Sequence, residues 1–272
     1  MPARPRISGA NGRERERTGR QTVSPELFRE LFGRLPQQGP GSEEATLRAL
    51  EAVGELPERP RILDVGSGTG HPTLILARRC GGTVVAVDID PESLAEVKRR
   101  ASQANLQQHV ETQVASMTEL EFPEESFDLI WSEGAIYNMG MERGLSEWRR
   151  FLRPGCCVAV TELTWLTPNP PPIAWDFWHR EYPAMASREK NGDAIERANY
   201  QLIESFALPE AAWWAFYGPL EERIARLREK YAAGEHAEAA AKTLDEVQRE
   251  IDIYRASNGS YSYVFYVARR PL

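Results

Sequence analysis

The sequence predicts an α/β fold: a doubly wound sheet of seven strands, mostly parallel with an antiparallel last strand, plus helical insertions. Three observations predict it. Short β-rich apolar runs alternate with helical stretches between Arg61 and Leu163. A glycine-rich turn follows the first of those runs, and the chain closes on Ser260–Ala268 (SYSYVFYVA), a segment dense in β-formers.

The elements follow in order. Residues 1–20 carry six Arg against Glu14 and Glu16 and are expected to be a disordered basic tail. Residues 21–57 read as an N-terminal helical flap. In it, Ser24 caps a short helix to Gly33, Pro36–Gly41 (PQQGPG) breaks it, and Ser42 caps a second helix to about Val53. The main domain, 58–272, starts with strands Arg61–Val65 (RILDV) and Thr83–Asp88 (TVVAVD), continuous apolar runs suited to a sheet covered on both faces. Helices are expected at Pro72–Arg79 and Pro91–Asn105, then strands at Val110–Val114 and Phe127–Trp131. A helix Glu142–Leu152 and a fifth strand Cys157–Leu163 complete the alternation. Thr167–Pro172 (TPNPPP) can continue neither strand nor helix, so a cap insertion is placed at about 166–198, with helices Ile173–Tyr182 and Ala194–Asn199. Gln201–Leu208 is the sixth strand. A helical pair at about 218–256 (Gly218–Ala233 and Ala237–Ala256) leads into the seventh.

Composition narrows the function. Hydrophobic residues make up 42% of the 272, enough for a large core. No apolar run approaches the ~18 residues that cross a bilayer, and the first twenty residues lack the apolar centre of a signal peptide, so a cytoplasmic protein is expected. Net charge is −7, and the basic tail makes the rest more acidic still. Such a body disfavours nucleic acid as substrate, because phosphates need a positive surface. Cys80, Cys156 and Cys157 form no disulfide framework and no C-x-x-C pair. His71, His109, His179 and His236 lack metal-ligand spacing, so no metal is expected.

The chemistry concentrates at Leu63-Asp64-Val65-Gly66-Ser67-Gly68-Thr69-Gly70. Three glycines let the backbone turn tightly and leave no Cβ to hold off a ligand. Ligands of open α/β sheets sit at this carboxyl edge, beside the switch in strand order. Asp88 ends the second strand, 22 positions after Gly66, where a carboxylate can accept from both hydroxyls of a ribose. Dinucleotide sites use G-x-G-x-x-G; here the spacing is G-x-G-x-G, with Asp64 two residues before the first glycine. A pyrophosphate beside Asp64 meets like charge. A zwitterionic amino-acid tail does not: its ammonium fits Asp64, and its carboxylate fits the N–H groups of the loop. S-adenosylmethionine has that tail and no phosphate. An NAD-dependent oxidoreductase is the alternative enzyme class, and a non-catalytic nucleoside-cofactor-binding protein the third reading. The glycine spacing and the lack of a Tyr-x-x-x-Lys group count against the first of these.

With Asp88 and the Leu152-Arg153-Pro154-Gly155 turn, the Leu63–Gly70 motif resembles the Rossmann-like class I S-adenosylmethionine-dependent methyltransferases, in the branch of ubiquinone/menaquinone and small-amine methylating enzymes. Gln38–Ser42, Trp131–Gly144 (WSEGAIYNMGMERG) and the Tyr-rich end are similar to uncharacterised prokaryotic methyltransferases. The resemblance implies S-adenosyl-L-methionine as cofactor, with S-adenosyl-L-homocysteine as product. It implies that Asp64, Gly66, Ser67, Gly68 and Gly70 hold the methionine part, Asp88 the ribose, and that Ile89 packs on the adenine. Ser116 and Met117 match the adenine-contact position, with Ser116 in place of the Asp many relatives have; Cys156 replaces the second glycine of Leu-x-Pro-Gly-Gly. The loop Ser132–Ala135 lines the cofactor's methionine end.

Methyl transfer by in-line displacement asks the protein mainly for alignment and exclusion of water, and for a base only where the nucleophile sheds a proton. Glu133, Tyr137 and Glu162 are the candidates, with Asn138 beside Tyr137. Trp165, Trp175, Trp178, His179 and Tyr182 form an aromatic cap candidate over a small-molecule substrate, or else pack the insertion on the sheet. Trp213, Trp214, Phe216 and Tyr217 read more simply as core or subunit interface. Gln38, in the Gln38–Ser42 loop, is the candidate flap contact to the cofactor. The C-terminal helices are a candidate surface for a homodimer.

Overall fold

A computed structural model describes residues 25–33, 35 and 37–272; the expected basic tail and the Ser24 cap lie outside them. Helix α1 (Pro25–Phe32) and helix α2 (Glu43–Val53) precede the sheet. As the sequence predicts, the Ser42 hydroxyl caps α2 by accepting from the Ala45 N–H at 3.1 Å. The alternating part follows as β1 (Arg61–Val65), α3 (His71–Cys80), β2 (Thr83–Asp88), α4 (Pro91–Gln103), β3 (Val110–Val114), β4 (Phe127–Ser132), α5 (Met141–Trp148) and β5 (Leu152–Trp165). The remainder is α6 (Pro172–Glu181), β6 (Ala186–Ser187), α7 (Arg188–Arg197), β7 (Gln201–Ala207), α8 (Glu210–Lys230), α9 (Ala237–Ala256) and β8 (Tyr261–Arg269).

Seven strands run in the order β3-β2-β1-β4-β5-β8-β7, with β8 antiparallel to both neighbours. The two-residue β6 adds a short parallel pair on β5, at Thr164 and Trp165. Strand β1 lies between β2 and β4, so the chain leaves it in one direction and returns on the other side. That reversal opens the crevice at the carboxyl edge. Ile62, Val84, Leu129 and Ala159 face a core closed by α2, α3, α6, α8 and α9. Leu63, Val65, Val85, Ile130 and Val158 face the other core, under α5 and α7. The period-2 division of each strand between two buried faces explains why they read as unbroken apolar runs.

Four boundaries differ from the sequence reading. The helix expected over Glu142–Leu152 ends at Trp148, a 3₁₀ turn covers Arg149–Phe151, and β5 is already under way at Leu152. The Leu152–Gly155 turn is therefore a bulge inside β5. Phe127 pairs with Leu152 and Leu129 with Cys157, and Gly155 takes φ +78° to absorb the extra residues. Second, β5 runs on to Trp165 because β8 pairs with it from Cys157 to the end. Third, α7 starts at Arg188, six residues before the expected Ala194, where the Ser187 hydroxyl accepts from the Lys190 N–H. Fourth, α8 starts at Glu210 rather than Gly218, so Gly218 and Pro219 lie inside it rather than at its start. The buried stripe Trp213, Phe216, Tyr217, Leu220, Ile224 and Leu227 carries the helix through both breakers, tertiary burial outweighing local propensity.

Candidate active site

Four strands of the parallel set bring polar residues to the carboxyl edge. Asp64 comes from β1, Asp88 from the end of β2, Ser132 and Glu133 from the end of β4, and Glu162 from the long β5.

Asp64 is buried, and its Oδ2 accepts from the Thr73 hydroxyl at 2.5 Å, across the first turn of α3. Its Oδ1 is buried without a hydrogen-bond partner. Burial pushes the carboxyl up to about 7, Thr73 pulling the other way and Asp88 adding like-charge repulsion. Asp88 is tied differently, accepting from the Gly68 N–H at 2.8 Å and the Asp90 N–H at 3.0 Å. Around the turn, the Gly66 and Ser67 N–H groups donate to Val87 O and the Gly70 N–H to Ser67 O. Four of the loop N–H groups expected to receive a cofactor carboxylate are thus committed within the protein. The glycines act through shape. A Cβ on Gly66 would stand 2.5 Å from the Ala135 Cβ, one on Gly70 2.8 Å from a Val97 methyl, and both residues have positive φ. The Ser67 hydroxyl is buried and unpartnered.

Glu133 is bound to the N-terminal segment. Its Oε1 accepts from Thr46 of α2 at 2.9 Å and from the Trp131 indole at 2.8 Å. Gly41 comes so near that a Cβ there would meet Oε2 at 3.5 Å. Burial raises this carboxyl to about 7, the two hydrogen bonds oppose it, and Asp64 adds repulsion. Ser132 donates to Val65 O, and the Gly134 N–H to the Thr161 hydroxyl, which fixes the loop after β4. Gln38 lies in a groove with Thr69, Asp90 and Ser93, and its neighbour Gln37 donates to Gly41 O.

Glu162 is buried near the Tyr182 hydroxyl, which acts on it without reaching hydrogen-bond geometry; the Leu163 N–H donates to Oε1, and Oε2 is buried with no hydrogen-bond partner. Desolvation raises its carboxyl to about 8 and pushes the Tyr182 phenol above its usual range. The Tyr137 ring meets Tyr182 edge-on at 6.0 Å, and the Asn138 amide donates to Ala135 O.

The remaining candidates are dispersed. Ile89 is 46% exposed at the end of β2, an apolar side chain open to a flat ring. Ser116 engages the Thr118 hydroxyl, while Met117 packs near Gly66 and accepts at its carbonyl from Trp148. Trp165 and Trp178 are buried, both in ring contact with Tyr261. Trp175, by contrast, is largely exposed and stacks on His179. Trp213, Phe216 and Tyr217 are fully buried core; Trp214, at the edge, packs partly buried against that core.

Thr46 and Thr73 carry no motif in the sequence. A polar residue on an otherwise apolar helix face is the one signal Thr46 offers, among Ala45, Ala49 and Val53. Among the described residues no cluster of three or more His, Cys, Asp and Glu is placed to hold a metal, and no helix is long and apolar enough to cross a membrane.

The residues present fit S-adenosylmethionine. An unpartnered buried Asp64 oxygen suits an ammonium, Asp88 suits the ribose, and Ile89 suits adenine. Comparison with known proteins agrees. A methyltransferase-domain family model matches residues 62–155. The 27-O-demethylrifamycin SV methyltransferase of Amycolatopsis mediterranei is 29% identical over 248 residues, 84% of this chain and 85% of that one. Against the methyltransferase GfsG of Streptomyces halstedii, also 29% identical, the match covers 51% of this chain and about half (54%) of that protein. A methyltransferase of Thiobacillus denitrificans, solved with S-adenosyl-L-homocysteine, superposes with a TM-score of 0.77 at 18% identity, covering 90% of this chain and 98% of that one. The demethylmenaquinone methyltransferase of Thermus thermophilus is 32% identical over 158 residues, 56% of this chain and 69% of that enzyme. By sheet order, glycine turn and these relationships, the chain belongs to the class I S-adenosylmethionine-dependent methyltransferases.

Proposed function

We propose that this methyltransferase transfers the methyl group to a nitrogen or oxygen nucleophile of a small molecule by in-line displacement, with Glu162 as the proton acceptor. The carrying observation is the Glu162 Oε2, buried and unpartnered at the carboxyl edge, one strand beyond β4. The bound cofactor supplies a sulfonium-activated methyl group. The chain's own residues do the rest. Asp64 holds the ammonium of the methionine part through Oδ1, and Thr73 fixes that carboxylate from the other side. Asp88 takes the ribose hydroxyls. Ile89, Ser116 and Met117 border the adenine, and Ser67 offers its hydroxyl to the methionine end. Glu133 latches the loop at Gly41 and helix α2 through Thr46 over the crevice, which excludes water. Alignment of this kind is worth roughly 7–11 kcal/mol.

A nitrogen or oxygen acceptor arrives with a proton that must leave. A carboxylate raised to about 8 is a stronger base than an ordinary glutamate; about one-tenth of it is ionised at pH 7, and the ionised share grows as pH rises. Tyr182 and Tyr137 orient the acceptor beside it. A carbon or sulfur acceptor would make less use of such a base. Calorimetry with S-adenosylhomocysteine and with NAD tests the cofactor half, saturable binding being expected of the first alone. Methyl transfer from labelled cofactor into a metabolite extract then identifies the product; a label on carbon would overturn the heteroatom assignment.

A further inference from the structure

Three acids stand in a row along the carboxyl edge: Asp88 at the end of β2, Asp64 on β1 and Glu133 just past β4. Asp88 repels Asp64, and Asp64 repels Glu133. The groups that act on Glu133 are Thr46 of α2, the Trp131 indole of β4 and Asp64 of β1; those that act on Asp64 are Thr73 and Asp88. None of them is a cation. Acids withdrawn from water beside one another are costly, and a positive ligand relieves that cost.

Glu133 has one oxygen committed and one open. Oε1 is held by both of its donors, at 2.9 Å and 2.8 Å. Oε2 receives no hydrogen bond, and whereas the bare oxygens of Asp64 and Glu162 are sealed inside, the part-buried Glu133 keeps Oε2 as its open end. Gly41 leaves the flank of that oxygen free of side chain. A Cβ there would stand 3.5 Å from Oε2 and 4.0 Å from the Gln37 Oε1. Gln37 is buried, and its Nε2 is spent on the Gly41 carbonyl, so its oxygen is the end left beside Oε2. Two oxygens, one of them anionic, thus border a space kept clear by a glycine.

The sulfur of the cofactor lies between its ribose and its amino-acid end. With the ribose on Asp88 and the adenine toward β3, the side left for the methyl group is that of β4, where Glu133 stands. The ammonium and carboxylate are common to methyl donor and demethylated product. The sulfonium charge is the difference between them.

We propose that Glu133 is the counter-charge of the sulfonium, so that the crevice prefers S-adenosylmethionine to S-adenosylhomocysteine. Asp64 serves the ammonium of both ligands, and Glu133 serves the charge that only one carries. When that charge disappears with the methyl group, Glu133 takes a proton back from solvent and the hold on the product weakens. The inference rests on the family assignment and is independent of the acceptor and of Glu162. A free carboxyl at about 7 is close to half protonated at pH 7, so sulfonium binding releases protons, and donor affinity rises with pH until that value is passed.

The test is calorimetric titration of the full chain, without acceptor, with S-adenosylmethionine and with S-adenosylhomocysteine. At pH 8 the donor is expected to bind at least about tenfold more tightly than the product. Glu133→Gln keeps an oxygen for Thr46 and Trp131 and is expected to abolish that preference, weakening the donor about tenfold and sparing the product. At pH 7, titration in buffers of different ionisation enthalpy should show more protons released by the donor than by the product. Asp64 responds to both ligands, so the excess belongs to Glu133. Absence of the wild-type preference, equal proton release by the two ligands, or an unchanged preference in Glu133→Gln would overturn the proposal. So would an equal loss of both ligands in that variant, which is the mark of a latch alone. The wild-type preference and proton release decide if Glu133→Gln does not fold.

Discussion

Asp64 and Asp88 end neighbouring strands, but their surroundings give them different work. Asp88 accepts two backbone N–H groups and so shapes the glycine turn as well as facing the ribose. Asp64 has one hydroxyl donor and one bare oxygen in a buried place. Replacing Asp88 with Ala removes the ribose acceptor and frees the Gly68 N–H. S-adenosylhomocysteine affinity measured by calorimetry should fall by about tenfold to a hundredfold, the worth of charge-assisted hydrogen bonds. At the other end of the edge, Glu162→Gln keeps the size and a polar group near the Tyr182 hydroxyl but removes the base. It should lower kcat by about 10²–10⁴ while leaving cofactor affinity intact. In the wild type, kcat/KM should rise with pH through an apparent pKa near 8, as Glu162 ionises, and this limb should vanish in the variant. A wild-type profile flat from pH 6 to 9 would remove Glu162 from the mechanism.

Helix α2 is the element that joins the N-terminal segment to the site. Its cap is Ser42, and four residues on Thr46 donates to Glu133. Ser42→Ala should cost about 1 kcal/mol, a fall of roughly 2–4 °C in Tm, and should also weaken S-adenosylhomocysteine binding because the first turn positions Thr46. Ser187→Ala, which uncaps α7, is the matched control. A similar fall in Tm without loss of cofactor affinity is expected there; equal affinity losses in both variants would show that α2 has no special part. The ion pairs that hold α1, Arg29 with Glu92 and Lys230 with Glu30, are largely exposed and contribute little by comparison.

At the scale of the whole molecule, the raised carboxyls set the pH dependence of stability. Asp64, Glu133, Glu162 and Glu250 all hold their protons to higher pH in the folded chain than in the unfolded one. Between the ordinary carboxylate range and about pH 8 the native state therefore binds more protons, and stability falls as pH rises. Glu30, Glu96 and Glu221 are lowered by cationic partners and have the opposite slope, but their contribution is complete below that window. Thermal unfolding of the ligand-free protein should give a lower Tm at pH 8 than at pH 5.5. Glu162→Gln should flatten the curve, since the amide does not titrate. A Tm that rises steadily to pH 8 would contradict the burial of these groups.

Local chemistry made much of this legible in advance. A strand ending in Asp-x-Gly-x-Gly-x-Gly, an acid at the end of the next strand, and alternating apolar runs are short-range patterns, and strict parallel burial leaves them few other readings. Ser42 as a cap and Asp88 at a strand end needed no knowledge of distant residues. Tertiary contact decided the rest. Gly218 and Pro219 look like a boundary until the buried face of α8 carries the helix through them, and Leu152–Gly155 looks like a turn until β4 pairs with both sides of the bulge. Only folding brings Thr46 to Glu133 across 87 residues and Tyr217 to Glu250 across 33. The succession of strands and helices along the chain was written in neighbouring residues, whereas the protonation and partners of the acids depend on which distant groups share their desolvated space.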